Sequence, residues 1–135
     1  YAYNDLGYAY DAYKMTQSWL SYKLPGQHHT MHSHPNGLLS GVLYYGPSGE
    51  STPAIKFHTL KGGLNVSYIK PRMREDFNGD TFSVMFEPGM MIIFPSFLHH
   101  SVPKNTTNTT RCSLAFNVVP TVGFGEEENL TELKF

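Results

Sequence analysis

Apolar and aromatic residues fall in short runs, each cut off by Gly, Pro, Asn or Ser. The runs are Trp19 to Leu24, Leu38 to Tyr45, Ala54 to Leu60, Leu64 to Ile69, Thr81 to Phe86, Met90 to Phe94 and Arg111 to Val119. Runs this short, rich in β-branched and aromatic residues and bounded by turn formers, read as strands. The breaks are Pro25-Gly26, Gly46-Pro47-Ser48-Gly49, Gly62-Gly63, Asn78-Gly79, Pro88-Gly89 and Lys104 to Thr110. Asn78-Gly79 has the composition of a hairpin turn or loop tip. Residues 1 to 16 differ: Leu6, Ala9, Tyr10 and Tyr13 carry a weak helical spacing, which predicts a short helix or an ordered arm. From Gly125 to Phe135 the chain carries Glu126-Glu127-Glu128 and reads as a solvated extension. The pattern predicts one all-β domain over 1–135, with an N-terminal arm or helix (1–17), a sandwich or barrel core (18–120) and a C-terminal extension (121–135).

A chain of 135 residues is long enough for one domain with a real core and too short for two of ordinary size. Lys and Arg number 10 against 11 Asp and Glu, a net charge of −1, and no basic block appears. Nucleic-acid backbone binding therefore has no electrostatic basis. No apolar run is long enough to span a bilayer, and no signal-peptide pattern is present. The single Cys112 cannot form an internal disulfide, so the expected setting is reducing and cytosolic. Asn-x-Ser/Thr tripeptides at Asn65, Asn105, Asn108 and Asn129 read as chance in a Thr- and Asn-rich chain.

Histidine placement changes the picture. Of seven histidines, His28, His29, His32, His34, His99 and His100 fall in two short stretches, leaving only His58 elsewhere. Side chains alternate across a strand, so His32 and His34 on one strand would face the same way and clasp one ion, with a distant strand adding a third ligand. A mononuclear site has no room for six imidazoles, so His28, His29 and His99 read as mouth or solvent residues. Eleven residues after His100 comes Arg111-Cys112-Ser113. Arg and Ser at i and i+2 of a strand put a forked guanidinium and a hydroxyl on one face, a receptor for a carboxylate. A carboxylate-bearing cosubstrate beside a metal is the economical reading.

The order of these pieces resembles the iron(II)- and 2-oxoglutarate-dependent oxygenases, most closely a small group from bacteria and phages, close in plan to prolyl hydroxylases. The resemblance covers about Trp19 to Val119. It rests on Trp19, Gly26, His32-Ser33-His34-Pro35, Ser40-Gly41-Val42-Leu43-Tyr44-Tyr45, Phe94-Pro95-Ser96-Phe97-Leu98-His99-His100-Ser101-Val102 and Arg111-Cys112-Ser113-Leu114-Ala115-Phe116-Asn117. It implies a double-stranded β-helix (jelly roll) and a dioxygenase that uses Fe(II), 2-oxoglutarate and O2 to hydroxylate a C–H bond of a protein, peptide or small molecule. It further implies His32, His34 and His100 as metal ligands, Arg111 and Ser113 on the far carboxylate of 2-oxoglutarate, and Tyr22 and Tyr44 as cosubstrate contacts. His34 stands where the broad superfamily has Asp or Glu, which leaves the metal one unit more positive. Two rivals remain at this stage: a three-histidine cupin-like or zinc enzyme that ignores 2-oxoglutarate, and a jelly-roll binding or virion module with a structural metal.

Overall fold

The computed structural model describes residues 10, 12–46, 55–58 and 81–134, and within them the chain forms eight strands and no helix. They are β1 (Tyr13–Lys23), β2 (His29–His32), β3 (Leu39–Tyr44), β4 (Ile55–His58), β5 (Thr81–Val84), β6 (Met91–Pro95), β7 (His100–Val102) and β8 (Arg111–Pro120). One sheet has the order β1-β8-β3-β6, the other β2-β7-β4-β5. Every pairing is antiparallel. The chain passes from sheet to sheet so that β8, last in sequence, lies between β1 and β3. This is the expected jelly roll.

The two sheets are glued by aromatic packing. Tyr44 stacks on Phe86, and Phe57 stacks on Phe82 and meets Phe94 edge-on, with Val42 and Ile55 filling in. β3 is a central strand, paired along its two edges with β8 and β6, and five of its six residues are buried. Gly41 is required there by close approach. A Cβ on it would sit 2.2 Å from Phe116 Cζ, so the ring lies across the β3 backbone in the space glycine leaves.

Three expectations need adjustment. Tyr13 to Thr16 are not helical; they begin β1, which pairs with β8 from Tyr13↔Pro120 to Lys23↔Arg111. A weak local helical spacing loses to a long cross-strand ladder. Residues 1–9 and 11, the Leu64 to Ile69 run, Gly62-Gly63 and Asn78-Gly79 lie outside the described residues. Residues 124–134 are exposed, and the chain there folds back on itself through a bridge between Phe124 and Leu133. One glycosylation tripeptide has a structural use: Asn105 is 2% exposed, and its Nδ2 donates to the carbonyls of Lys23 and Thr109. That amide closes the β7–β8 loop onto the end of β1.

Phe57, at 2% exposure, touches the core and the His100 ring together. Phe57→Ala should cost about 3–5 kcal/mol, the usual range for a buried Phe truncated to Ala. In thermal denaturation that is a fall in Tm of at least about 10 °C for a domain of this size. A loss below about 1 kcal/mol would show that the aromatic cluster is not the core.

Candidate metal centre and its cavity

Two short strands bring the histidines together. His32 ends β2 and pairs directly with His100, the first residue of β7, so both rings leave the same face of one ladder. Their centroids are 4.3 Å apart. His34 arrives differently. β2 stops at His32, and His34 lies beyond it in the turn leading to β3, not on a shared strand. Pro35 holds the residue before it in extended backbone, and the His34 N–H donates to the Ser96 carbonyl at 2.8 Å. The ring therefore continues the direction of the strand and packs 5.1 Å from both His32 and His100 and 5.6 Å from Trp19.

One ring nitrogen from each of His32, His34 and His100 lies within 4.8 Å of the others, and no carboxylate joins them among the described residues. The tautomers suit a metal. Nδ1 of His32 lies 2.9 Å from the Thr30 carbonyl, and Nδ1 of His100 lies 2.9 Å from the Leu98 carbonyl. A carbonyl only accepts, so each Nδ1 carries a proton, and in the neutral ring Nε2 is the nitrogen with a lone pair for an ion. Burial pushes the His100 imidazole down to about 4, against a hydrogen bond to the Leu98 carbonyl that favours the charged form, and with help from His32, His34 and His29. Burial and the neighbouring His32 and His29 lower His34 as well. Three imidazoles converging in a partly dry pocket are the donor set of a borderline first-row metal.

The same rings line a cavity of about 70 Å³ that also holds Arg111, Ser113, Tyr44 and Trp19, with no acidic residue in its wall. Arg111 is 5% exposed, and its Nη1 donates to the Pro103 carbonyl at 3.4 Å. Burial lowers its pKa, opposed by Tyr44, and burial in turn raises the Tyr44 phenol above its ordinary value. Arg111 and Ser113 face the cavity together because they are two residues apart on β8, and Tyr44 is the residue paired with Ser113 across β3.

Tyr22 is placed elsewhere. It is 55% exposed and borders a surface hollow with Lys23, Gly26, Gln27 and His28. Strand parity explains the difference: Trp19 and Lys23 of β1 turn to the cavity, and Tyr22 has the opposite parity. Its partner is the Tyr45 hydroxyl, whose pKa is pushed up to about 12, chiefly by their hydrogen bond. Among the other histidines, His29 is at the mouth, stacked 4.3 Å over His32 and lining the cavity. His58 is apart from the site, with Nε2 on the Ser101 hydroxyl at 2.9 Å.

Sequence reasoning assigned no role to a buried polar chain behind His34. Ser40 Oγ donates to Asn117 Oδ1 at 2.7 Å and lies 2.9 Å from Ser96 Oγ. The one proton of Ser40 is spent on Asn117, so Ser96 must be the donor at the second contact. Ser96 also clamps the turn through its backbone, accepting from His34 and donating to Leu38. Its hydroxyl fills the space a side chain at Gly37 would need, 2.6 Å from that Cβ position. The signal available in the sequence was three small polar residues inside otherwise apolar runs.

Comparison with known proteins gives the chain a family. Residues 17–117, roughly three quarters of the chain, match the family model described as "Putative 2OG-Fe(II) oxygenase". No curated protein matches. Among solved structures, an oxidoreductase of the 2OG-Fe(II) oxygenase family from Burkholderia pseudomallei superposes with a TM-score of 0.60 at 17% identity, covering 83% of this chain and 47% of that one. EctD from S. alaskensis, in its apoform, gives 0.61 at 18% identity, covering 89% and 48%. A Pseudomonas putida prolyl-4-hydroxylase gives 0.56 at 15% identity, covering 85% and 55%. These likenesses establish the fold, and the chain spans about half the length of the structures it matches. The family model, with the three-histidine cluster and the jelly roll around it, places this chain in the 2OG-Fe(II) oxygenase family, whose metal is iron(II) and whose cosubstrate is 2-oxoglutarate.

Proposed function

We propose that this chain is the catalytic domain of an iron(II)- and 2-oxoglutarate-dependent dioxygenase that hydroxylates a C–H bond of a protein, peptide or small-molecule substrate. The observation that carries the reading is one cavity wall shared by three convergent imidazoles and a buried guanidinium. His32, His34 and His100 would hold iron, which when bound supplies the redox chemistry toward O2. Arg111 would receive the far carboxylate of 2-oxoglutarate as a two-pronged donor, with Ser113 and Tyr44 as flanking hydroxyls. Tyr22 takes no part. The all-imidazole donor set contributes no negative charge, and the cavity wall has no acid, so a dianionic cosubstrate is favoured electrostatically. Trp19, Val42, Ile55 and Phe94 line the rest of the wall and keep water from competing for the same donors.

Anaerobic titration of the iron(II) protein with 2-oxoglutarate tests this directly. The expected result is a weak visible charge-transfer band that saturates with cosubstrate, followed by succinate formation on admitting air. Tight metal binding with no band would point instead to a metal centre that ignores 2-oxoglutarate.

Arg111→Lys should weaken 2-oxoglutarate binding by at least about tenfold, the equivalent of one bidentate contact, while leaving iron affinity near the parent value. Equal cosubstrate affinity in the two proteins would remove Arg111 from the site. His34→Ala should lose most metal affinity, whereas His34→Asp should retain metal and support succinate formation, because an aspartate supplies a donor in the same place. If His34→Ala holds iron as tightly as the parent, the imidazole is not a ligand.

Acid should destabilise the metal-free protein. His100 has a folded pKa near 4 and an ordinary value of 6.5 when unfolded. Between these values the unfolded chain binds the extra proton, so stability is full above pH 6.5 and falls as pH drops toward 4. At about 1.4 kcal/mol per unit the loss is on the order of 3 kcal/mol. Chemical denaturation at a series of pH values should show it, and His100→Gln should flatten the slope. A parent protein equally stable at pH 7 and pH 4.5 would contradict the assignment.

A further inference from the structure

A second cavity opens on the other side of His34. It is a cleft of about 940 Å³, bounded by the His34 turn, the first half of β1, the end of β8 and the Phe124–Leu133 bridge. His34 lines both this cleft and the enclosed cavity that holds Arg111. One face of β8 links them: Arg111, Ser113 and Ala115 line the enclosed cavity, and Asn117 and Val119 continue into the cleft. At about 3.4 Å per residue, Arg111 and Asn117 lie about 20 Å apart along the strand, with the imidazoles between them. A cosubstrate anchored on Arg111 thus approaches the metal from one side and leaves the cleft for the molecule to be oxidised.

Asn117 gives the cleft a chemical preference. It is 7% exposed, and its Oδ1 is occupied by the Ser40 hydroxyl. Nδ2 makes no hydrogen bond among the described residues, although the side chain is more than nine-tenths buried and lines the cleft. Oδ1 is the end that meets the Ser40 hydroxyl, so the end left for the cleft is the Nδ2 donor. Its natural complement is a carbonyl oxygen. The remaining polar wall is hydroxyl and carboxamide from Thr16, Gln17, Ser33 and Asn36, with the ammonium of Lys14, and it carries no carboxylate. The volume lies at the upper end of the roughly 300–1,000 Å³ that binds drug-sized ligands, far more than a single amino acid fills.

We propose that this cleft is the substrate groove, that it takes a peptide segment, and that Asn117 Nδ2 donates to a backbone carbonyl next to the residue brought to the metal. Ser96 and Ser40 act through Asn117 as positioning residues. The inference rests on the oxygenase reading for what the groove serves, but its geometry can be tested separately.

The test uses the protein loaded with zinc(II), which keeps nearby NMR signals sharp, and with 2-oxoglutarate. The probes are a pool of N-acetylated, C-amidated pentapeptides and, in a parallel arm, the free amino acids. The Asn117 side-chain NH2 pair, identified by its disappearance in Asn117→Asp, should shift with the peptide pool and stay in place with the amino acids. Asn117→Asp keeps the acceptor for Ser40 but turns the cleft-facing donor into an acceptor. The tightest peptide should bind it roughly tenfold more weakly while 2-oxoglutarate affinity stays within about twofold of the parent. Ser40→Ala, which keeps the donor but releases its orientation, should give a smaller loss and serves if Asn117→Asp does not fold. Peptide affinity unchanged in both variants, or no peptide bound by a protein that holds 2-oxoglutarate, would overturn the proposal. A shift caused by free amino acids alone would overturn the peptide part. Failure to bind 2-oxoglutarate with peptide binding intact would sink the oxygenase reading and leave the groove standing.

Discussion

The direct pairing of His32 with His100 is the constraint on which the rest of the site depends. The two residues face each other across a ladder of only a few residues, and their rings lie 4.3 Å apart. Both are tied through Nδ1 to a carbonyl two residues back along the chain, so neither can turn its bare nitrogen away without breaking a hydrogen bond. Burial, together with the neighbouring rings, opposes protonation of His100. The outcome is a pair of fixed donors whose spacing is set by strand geometry. His34 is held less firmly: no ring nitrogen of it has a hydrogen-bond partner among the described residues, and its position comes from the Ser96 clamp and from packing on Trp19.

β8 converts this local pairing into an extended site. It is paired along both edges, with β1 on one side over its whole length and β3 on the other from Ser113 to Val118. Its inward face presents, in order, a buried cation, a hydroxyl, a small residue beside the imidazoles and a carboxamide. Each lies two residues from the next, so the order in the sequence becomes the order in space along the barrel. On this account a polar substrate and a charged cosubstrate reach the same imidazoles from opposite ends of one strand.

Much of this was legible in the sequence, for identifiable reasons. Strands β3, β4, β5, β6 and β8 are apolar runs between turn formers, and the predicted bounds fall within a few residues of those observed. β2 and β7 left no such signal, because they are four and three residues long and built around the site histidines themselves. Tyr13 to Thr16 misled because a strand stabilised by its partner needs little local propensity. The histidine cluster was readable as a cluster, but the idea that His32 and His34 share a strand missed the Pro35 turn. Tyr22 could have been separated from Tyr44 by counting parity from Trp19. The Ser40–Ser96–Asn117 chain could not have been paired in advance, since its members are 56 and 77 residues apart.

The most direct test of the account is a count of imidazoles at the metal. X-ray absorption at the iron edge of the iron(II)-loaded protein should show three histidine nitrogens at about 2.0–2.2 Å, with the outer-shell scattering of three imidazole rings. A fit requiring two imidazoles, with the remaining positions filled by oxygen, would contradict the all-histidine centre.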